Sequence, residues 1–242
     1  MSENSRNITP KIKLLVLLGA VIVSIAILLP IANNWMASNT VKKINVVGNS
    51  MIPESEIADR AGSGSGRLDT IQERVSGHPF VEETYVTHNR LEQINIEIKE
   101  KTPIAFITAP DGSLSYVDRK GTPLPYRLYE QFRDLPVIRN IYDGKAVDFA
   151  AYRTALEIID ELRTPKHQAV NADISEIVYN TKTAEFSLIT SDTGTPVLVG
   201  EASHISDKIE KMATFWRNRL PSEIRKKYKY KDLRWQNQVV VA

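Results

Sequence analysis

The sequence contains no cysteine. Disulfide bonds, thiolate nucleophiles and cysteine-ligated metals are therefore excluded, and so is a small secreted domain held together by disulfides. An excess of one charge is also missing: the formal net charge is +2, and from Val41 onward 28 basic residues face 28 acidic ones. Because this balance gives no general attraction to phosphates, nucleic acid is not an expected partner.

Recognisable catalytic motifs are absent from the sequence as well. It has no G-x-S-x-G elbow and no S-x-x-K pair, and no Walker lysine follows the glycine-rich run at 62–66, which is expected to be a solvated loop. Glu82 and Glu83 occupy adjacent strand positions, so they are expected to face opposite ways. The four histidines lack metal-ligand spacing: His78, His88, His167 and His204. We therefore expect no enzyme activity, metal, cofactor or small-molecule substrate.

One long hydrophobic run is present, at 14–32. Its nineteen residues carry no charge, and thirteen are Leu, Ile or Val. As a helix this run would be ~28 Å long, about the hydrocarbon thickness of a bilayer. The run predicts a transmembrane helix over 14–33.

The flanking charges predict the orientation of that helix. Arg6, Lys11 and Lys13 precede it, whereas 31–40 carries no charge. The positive-inside rule therefore makes 1–13 a cytoplasmic tail and places the remainder outside. The alternative is a cleaved signal peptide, whose apolar region normally spans only ~7–15 residues.

The first block after the run, 40–103, predicts the order strand, helix, helix, strand, strand. A strand at 41–47 precedes a helix that begins near Pro53 and a second one at 69–76, and a strand follows at 81–89. In the last strand, isoleucines at 94, 96 and 98 alternate with polar residues, so one face is buried. Two helices can cover one face of such a sheet, which gives an α+β fold.

The second block, 104–242, predicts many strands and two helices, and hence a mixed α/β domain with an extended β-sheet. Pro110-Asp-Gly112 predicts a hairpin turn between its first two strands, and Asp148 is a candidate helix cap. The predicted strands are 104–108, 113–117, 135–138, 174–179, 185–190, 196–199, 228–233 and 238–241. The predicted helices are 148–163 and 203–219.

Five segments, in order, resemble one known family. The order of elements behind a single anchor resembles a POTRA domain. The segments INVVG, GHPFV, INIEIKEKTPIA, YVDRKGTPL and DLRW, at 44–48, 77–81, 94–105, 116–124 and 232–235, resemble the markers of the cell-division family FtsQ/DivIB. The resemblance covers nearly the whole chain.

This resemblance implies a fold and a function. It implies a single-pass type II protein of the bacterial inner membrane at the division septum, with a POTRA domain at 40–103 and a membrane-distal β domain at 104–242. Such a protein is a non-enzymatic scaffold that binds FtsB and FtsL, links early and late division proteins and regulates septal peptidoglycan synthesis. Two other classes stay open: a POTRA-containing envelope scaffold for polypeptide transport or assembly, and an anchored envelope hydrolase.

The C-terminal stretch supplies the candidate partner site. From 217 to 234 the chain has eight basic and two acidic residues, with aromatic residues interleaved. This stretch is either a solvated basic surface or a site for an acidic partner. A last strand with nothing after it in the sequence would leave a sheet edge free to pair.

The resemblance also implies site residues. The family binds FtsB by strand addition, and the matching partner-binding positions here are Arg234, Trp235, Asn237 and Val239. The alternative for Trp235 is a core position. In the POTRA block, the outward positions Asn95, Glu97 and Lys99 form a candidate recruitment surface.

Overall fold

The computed structural model describes residues 10–37, 43–62, 67–89, 93–217 and 228–242. The tail at 1–9, the glycine-rich positions 63–66, the connection at 90–92 and most of the basic stretch, 218–227, lie outside the described residues. The chain divides into two compact units, Met1–Glu100 and Lys101–Ala242. Both helices and strands occur in each, so the fold is α+β.

The apolar run lies in helix α1, Pro10–Ala37. The side chains described for this helix, at 17–30, are exposed. Within the ranges that the structure describes, no helix has the length and apolar character required to cross a membrane.

The remainder of the first unit has the predicted order of elements. Strand β1 (Lys43–Val47) is followed by α2 (Glu54–Ala61), α3 (Leu68–Ser76), β2 (Val81–Asn89) and β3 (Gln93–Glu100). The sheet order is β1-β3-β2, in which β1 is parallel and β2 antiparallel to the central β3. The expectation of two helices and three strands is confirmed.

The hydrophobic pattern explains this unit's core. Ile94, Ile96 and Ile98 are at most 4% exposed, as the alternation predicted. The two helices bury apolar residues at helical spacing: Ile57, Ala61, Ile71 and Val75.

Two of the marker residues hold the loop between β1 and α2. The Glu100 carboxylate accepts hydrogen bonds from the Ser50 hydroxyl (2.7 Å) and from the backbone N–H of Met51 and Ile52 (2.8 Å for Ile52). Gly48 has φ +88°, and a Cβ there would lie 2.1 Å from the Ile98 carbonyl oxygen. Only glycine fits this position, so the glycine that ends the 44–48 segment is required by the fold.

The expectation that Glu82 and Glu83 face opposite ways was wrong. Both carboxylates contact the Lys99 ammonium, at 3.2 and 3.1 Å. The pairing register between β2 and β3 shifts between Val81 and Glu83. A β-bulge of this kind breaks the strict alternation of side chains, which is why the simple rule failed.

The second unit contains a nine-stranded sheet and three helices among the described residues. The strands are β4 (Pro103–Thr108), β5 (Leu114–Asp118), β6 (Pro123–Pro125), β7 (Val137–Arg139), β8 (Ile174–Asn180), β9 (Glu185–Thr190), β10 (Pro196–Gly200), β11 (Lys231–Asp232) and β12 (Val240–Val241). The helices are α4 (Phe149–Leu162), α5 (Gln168–Asn171) and α6 (Ile205–Arg217), with short 3-10 turns at Glu130–Phe132 and Pro165–His167. The order across the sheet is β12-β11-β10-β9-β8-β7-β4-β5-β6.

Helices α4 and α6 pack on the sheet through apolar faces that the sequence predicted. The Asp148 carboxylate caps α4 by accepting from the N–H groups of Ala150 and Ala151. Helix α6 buries four apolar residues at helical spacing: Ile205, Ile209, Met212 and Trp216. Phe149, the first residue of α4, is 58% exposed, because a side chain in the first turn projects back beyond the end of the helix.

The turn at 118–124, another marker, is also structural. The buried Asp118 carboxylate accepts from the N–H groups of Lys120 (2.9 Å) and Thr122 (2.8 Å), and the Tyr152 hydroxyl donates to the Asp118 carbonyl. Gly121 has φ +79°, a conformation that favours glycine. Strand β6 follows this turn directly and was not predicted.

The last two strands are shorter than predicted. Each contains two residues, whereas 228–233 and 238–241 were expected. Residues 234–238, between the two strands, form an exposed turn, with Asn237 at φ +58°. The positive φ of Asn237 belongs to the turn that separates the two strands.

Candidate functional site

The nine-stranded sheet ends in two edges of different chemistry. At one edge, two of the three residues of β6 are proline, Pro123 and Pro125, which have no N–H to donate. At the other, β12 carries two valines and pairs only with β11 among the described residues. Proline is a common protection of an exposed edge, so the β12 edge is the one open to pairing.

The hydrogen bonds between β11 and β12 show which groups of β12 face outward. The Ala242 N–H donates to the Tyr230 carbonyl, and the Tyr230 N–H donates back to the Ala242 carbonyl. Bonded and non-bonded pairs alternate along an antiparallel ladder. The next pair, Lys231 and Val241, is therefore non-bonded, and the N–H and C=O of Val241 point away from the sheet.

Trp235 lies in the turn between β11 and β12 and is 56% exposed. It is therefore not a core residue. The core position of this segment is Leu233, which is fully buried and whose N–H donates to the Leu198 carbonyl. Val239 packs partly against the core, and Asn237 is exposed.

The Arg234 guanidinium is paired within its own chain, while its side chain remains 45% exposed. It makes a two-point bond to the Asp232 carboxylate, with Nε–Oδ1 at 3.0 Å and Nη2–Oδ2 at 2.8 Å, and it lies 3.4 Å from Glu185. This pairing raises the pKa of Arg234 and lowers that of Asp232. The Asp232 carboxylate, two positions earlier, has the planar geometry that a guanidinium can bind at two points. This pair within the 232–235 segment therefore fixes the turn.

Lys211, a residue that no sequence pattern singles out, holds the same turn from α6. Its ammonium donates to the carbonyl oxygens of Leu233 (2.8 Å) and Trp235 (2.6 Å). Lys211 and Trp235 both line a groove of about 1010 Å³ between α6 and the turn. No sequence motif marks a lysine that binds backbone carbonyls, so this contact could be found only from coordinates.

The predicted recruitment surface is partly engaged within its own unit. The Asn95 side chain accepts from Asn45 at 3.4 Å, and Glu97 is exposed. The ion pairs with Glu82 and Glu83 raise the pKa of Lys99. The three positions share the sheet face opposite the buried isoleucines, as predicted.

The buried histidines have structural partners. His78 Nδ1 accepts from the Phe80 N–H (3.2 Å), so Nε2 donates to Glu56 (2.9 Å). His167 contacts the Glu161 carbonyl and the Glu210 carboxylate. Hydrogen bonds from His167, Lys166 and Arg217 lower the pKa of Glu210 to about 2. Across the described ranges, no group of three or more metal-ligating side chains is assembled.

The chain is similar to known cell-division proteins. The family model described as FtsQ/DivIB, C-terminal related, matches residues 102–242. "Cell division protein FtsQ" of Rhodothermus marinus is 26% identical over 222 residues, which cover 86% of this chain and 79% of that protein. The protein of the same name from Geobacter sp. strain M21 is 27% identical over 179 residues, which cover 72% of this chain and 63% of that protein.

The match of the family model extends over the whole sheet-bearing second unit, including both of its edges. The two relatives extend the similarity over most of the chain and share one name and one process, cell division. The chain belongs to the FtsQ/DivIB family of cell-division proteins.

Proposed function

We propose that this chain is a non-enzymatic scaffold of the bacterial division machinery. It binds FtsB- and FtsL-like proteins, links early and late division proteins and so regulates septal peptidoglycan synthesis. The similarity to two proteins named for cell division supports the process. The family model over 102–242 supports placing the partner site in the second unit.

The partner site in this proposal is the β12 edge. A segment of the FtsB-like partner adds as a further strand beside β12 and bonds to the outward N–H and C=O of Val241. Backbone bonds of this kind give affinity without requiring a particular partner sequence. The prolines of β6 make the opposite edge unsuitable for the same interaction.

The observation that carries the proposal is the exposure of Trp235 beside this edge. A tryptophan that is 56% exposed does not contribute its full area to the core of its own chain. Tryptophan is enriched at binding hot spots, where truncation costs about 2 kcal/mol or more. Trp235 therefore acts as the side-chain anchor, while Arg234 fixes the turn. Asn237 and Val239 lie between that anchor and β12.

The proposal includes a membrane anchor. Helix α1 contains the uncharged run at 14–32 with basic residues before it, which favours an inner-membrane span at 14–33 with the 1–13 tail in the cytoplasm. A reporter that is active only outside the cytoplasm should work when fused after Ala242 and fail when fused before Leu14. Release of a soluble product that begins near Ser38 would show a cleaved signal peptide instead.

The first unit after the anchor acts in the proposal as a POTRA-type recruitment domain at 40–103, ahead of the β domain at 104–242. Its binding face contains Asn95, Glu97 and Lys99. Because Glu97 is exposed and makes no ion pair that the structure records among the described residues, Glu97→Lys is the cleanest charge reversal. We expect reduced septal localisation of this variant with unchanged folding. Normal septal placement after deletion of the whole domain would refute the recruitment role.

The test of the main proposal compares Trp235→Ala with Phe149→Ala. Phe149 is a matched control, since it is an aromatic residue of the same unit with 58% exposure. Both variants should fold and melt within a few degrees of the parent chain. Trp235→Ala should weaken binding of the FtsB-like protein from the same genome roughly thirtyfold, whereas Phe149→Ala should not.

Two outcomes would count against this function. Equal binding by both variants would place the partner site elsewhere. Depletion of the protein should produce filamentous cells, and an outer-membrane assembly defect without filamentation would favour the polypeptide-transport alternative.

A further inference from the structure

Lys211 makes an unusual pair of contacts for a lysine on a helix surface. Its ammonium donates to two carbonyl oxygens of the turn, those of Leu233 (2.8 Å) and Trp235 (2.6 Å). These two carbonyls flank Arg234, so the contact spans the start of the exposed turn. Both hydrogen bonds have a charged donor, which makes them stronger than bonds between neutral groups.

The helix holds Lys211 in a fixed place. Its neighbours Ile209 and Met212 are fully buried in the core of the second unit. Lys211 itself borders the groove between α6 and the turn. The position of the ammonium therefore follows from the packing of α6 on the sheet, and the turn is tied to a rigid element.

The other recorded contacts of the turn involve Asp232, Leu233 and Arg234, whereas Lys211 binds the backbone carbonyl of Trp235. The Asp232 carboxylate binds the backbone N–H and guanidinium of Arg234. The Leu233 N–H binds Leu198. Within the described part of the chain, the Trp235 carbonyl is held by Lys211.

Lys208, one turn earlier on α6, provides a natural comparison. Its ammonium also donates to a backbone carbonyl, that of Glu201 at 2.9 Å. Glu201 precedes α6 and is not part of the turn. Burial lowers the pKa of Lys208, so it is if anything the more enclosed of the two lysines.

We propose that Lys211 is a positioning residue for partner binding at the β12 edge. By holding the carbonyls on both sides of Arg234, it keeps the Trp235 indole exposed beside β12 before the partner arrives. This inference rests on the proposed function of that edge. Preorganisation of this kind reduces the ordering cost of association.

The first experiment measures binding of the FtsB-like protein from the same genome to the full chain in detergent micelles. Lys211→Met keeps the aliphatic stem and removes both donors, so the Kd should rise about tenfold or more. Lys211→Arg keeps donors at the same place and should stay within about threefold of the parent chain. Lys208→Met is the matched control and should bind like the parent chain.

The second experiment reports on Trp235 without any partner. In the full chain labelled with 5-fluorotryptophan, the Trp235 resonance is assigned as the one that Trp235→Phe removes. Because Lys211 holds the backbone on which the indole is mounted, Lys211→Met should shift or broaden this ¹⁹F resonance, Lys211→Arg should restore it, and Lys208→Met should leave it in place.

The two experiments separate the failure of this inference from that of the proposed function. An unchanged Trp235 resonance together with parent-like binding by Lys211→Met would overturn the positioning role. Equal losses of binding by Lys211→Met and Lys208→Met would show that the loss of affinity comes from general disturbance of α6. That result would also overturn the positioning role of Lys211. If the parent chain fails to bind the FtsB-like protein, the proposed function fails, and the resonance alone decides the role of Lys211.

Discussion

The two edges of the nine-stranded sheet differ in the groups that they offer to another chain. Strand β6 presents Pro123 and Pro125 and follows a turn fixed by the buried Asp118. Strand β12 presents the outward N–H and C=O of Val241 and follows a turn that exposes Trp235. Both edge strands are short, so length does not distinguish them.

This difference teaches that the chemistry of the edge residues, more than the exposure of backbone, separates a protected edge from a binding edge. A backbone without N–H groups cannot complete a ladder with an incoming strand. The aromatic residues near β6 largely contact one another, since Tyr116 stacks on both Phe106 and Tyr126. Trp235 has no such aromatic neighbour recorded among the described residues. Its side chain hydrogen-bonds the Asp232 carboxylate, and 56% of the residue stays exposed and accessible to a partner.

Blocking the open edge should give the largest effect. Val241→Pro removes an outward N–H without removing a bond to β11, so the unit should fold while the added strand loses a bond and meets the proline ring. A cost of about 3 kcal/mol corresponds to more than about a hundredfold loss of affinity for the FtsB-like partner, measurable by titration calorimetry.

The control for that variant is Val240→Pro, one residue earlier. Val240 opposes Asp232 in a bonded pair, so proline there removes a bond within the sheet. This variant should lower the melting temperature more than Val241→Pro does. If Val241→Pro binds the partner with the affinity of the parent chain, the partner does not bind by adding a strand to β12.

Opening the protected edge should give an intermediate effect. The double substitution Pro123→Val and Pro125→Val restores two N–H groups at β6, so the edge becomes able to pair. We expect a stability change within about 1 kcal/mol and a concentration-dependent increase in sedimentation coefficient. The control Pro110→Ala, in a hairpin turn, should leave the chain monodisperse. Unchanged sedimentation of the double variant would show that the prolines are not what protects this edge.

Loosening the turn beside β12 should give the smallest effect, and the effect should depend on pH. Arg234 lowers the pKa of Asp232 below 3.8. A carboxyl with a lowered pKa in the folded state stabilises the protein above its unfolded pKa, and the contribution is lost as the pH falls through the folded value. Asp232→Asn should therefore cost about 1–2 kcal/mol at neutral pH, and the difference from the parent chain should shrink below about pH 4.

Urea unfolding at several pH values would measure this difference. The Asp143→Asn variant is the comparison without a hydrogen-bonded ion pair, because backbone N–H groups bind the Asp143 carboxylate and lower its pKa. Its penalty should also shrink at low pH, but by less than that of Asp232→Asn. An Asp232→Asn penalty that does not change with pH would mean that packing, and not the ion pair, sets the contribution of this residue.

Much of this architecture could be predicted from local patterns, because those patterns have local causes. Alternating isoleucines predicted β3, Asp148 as a helix cap predicted the start of α4, and the strands predicted at 174–179, 185–190 and 196–199 are those of the β8–β10 meander. Strand β6 was missed because its prolines argue against a strand. The bulge at Glu82 and Glu83 was missed because alternation assumes a regular ladder.

The site could be predicted only in outline. The exposed Trp235 and the position of the last strand followed from the motif and from the order of elements. The internal pairing of Arg234 with Asp232 and the reach of Lys211 from α6 depend on how distant segments meet in space. Neither contact has a sequence pattern of its own.

The most direct test of the β12 edge is amide hydrogen exchange of the chain with and without the FtsB-like partner. If a partner strand adds to β12, the Val241 amide should become strongly protected in the complex, and the amide of Leu124 in β6 should exchange at the same rate in both states. Protection near β6 with an unprotected Val241 would contradict the assignment of the binding edge.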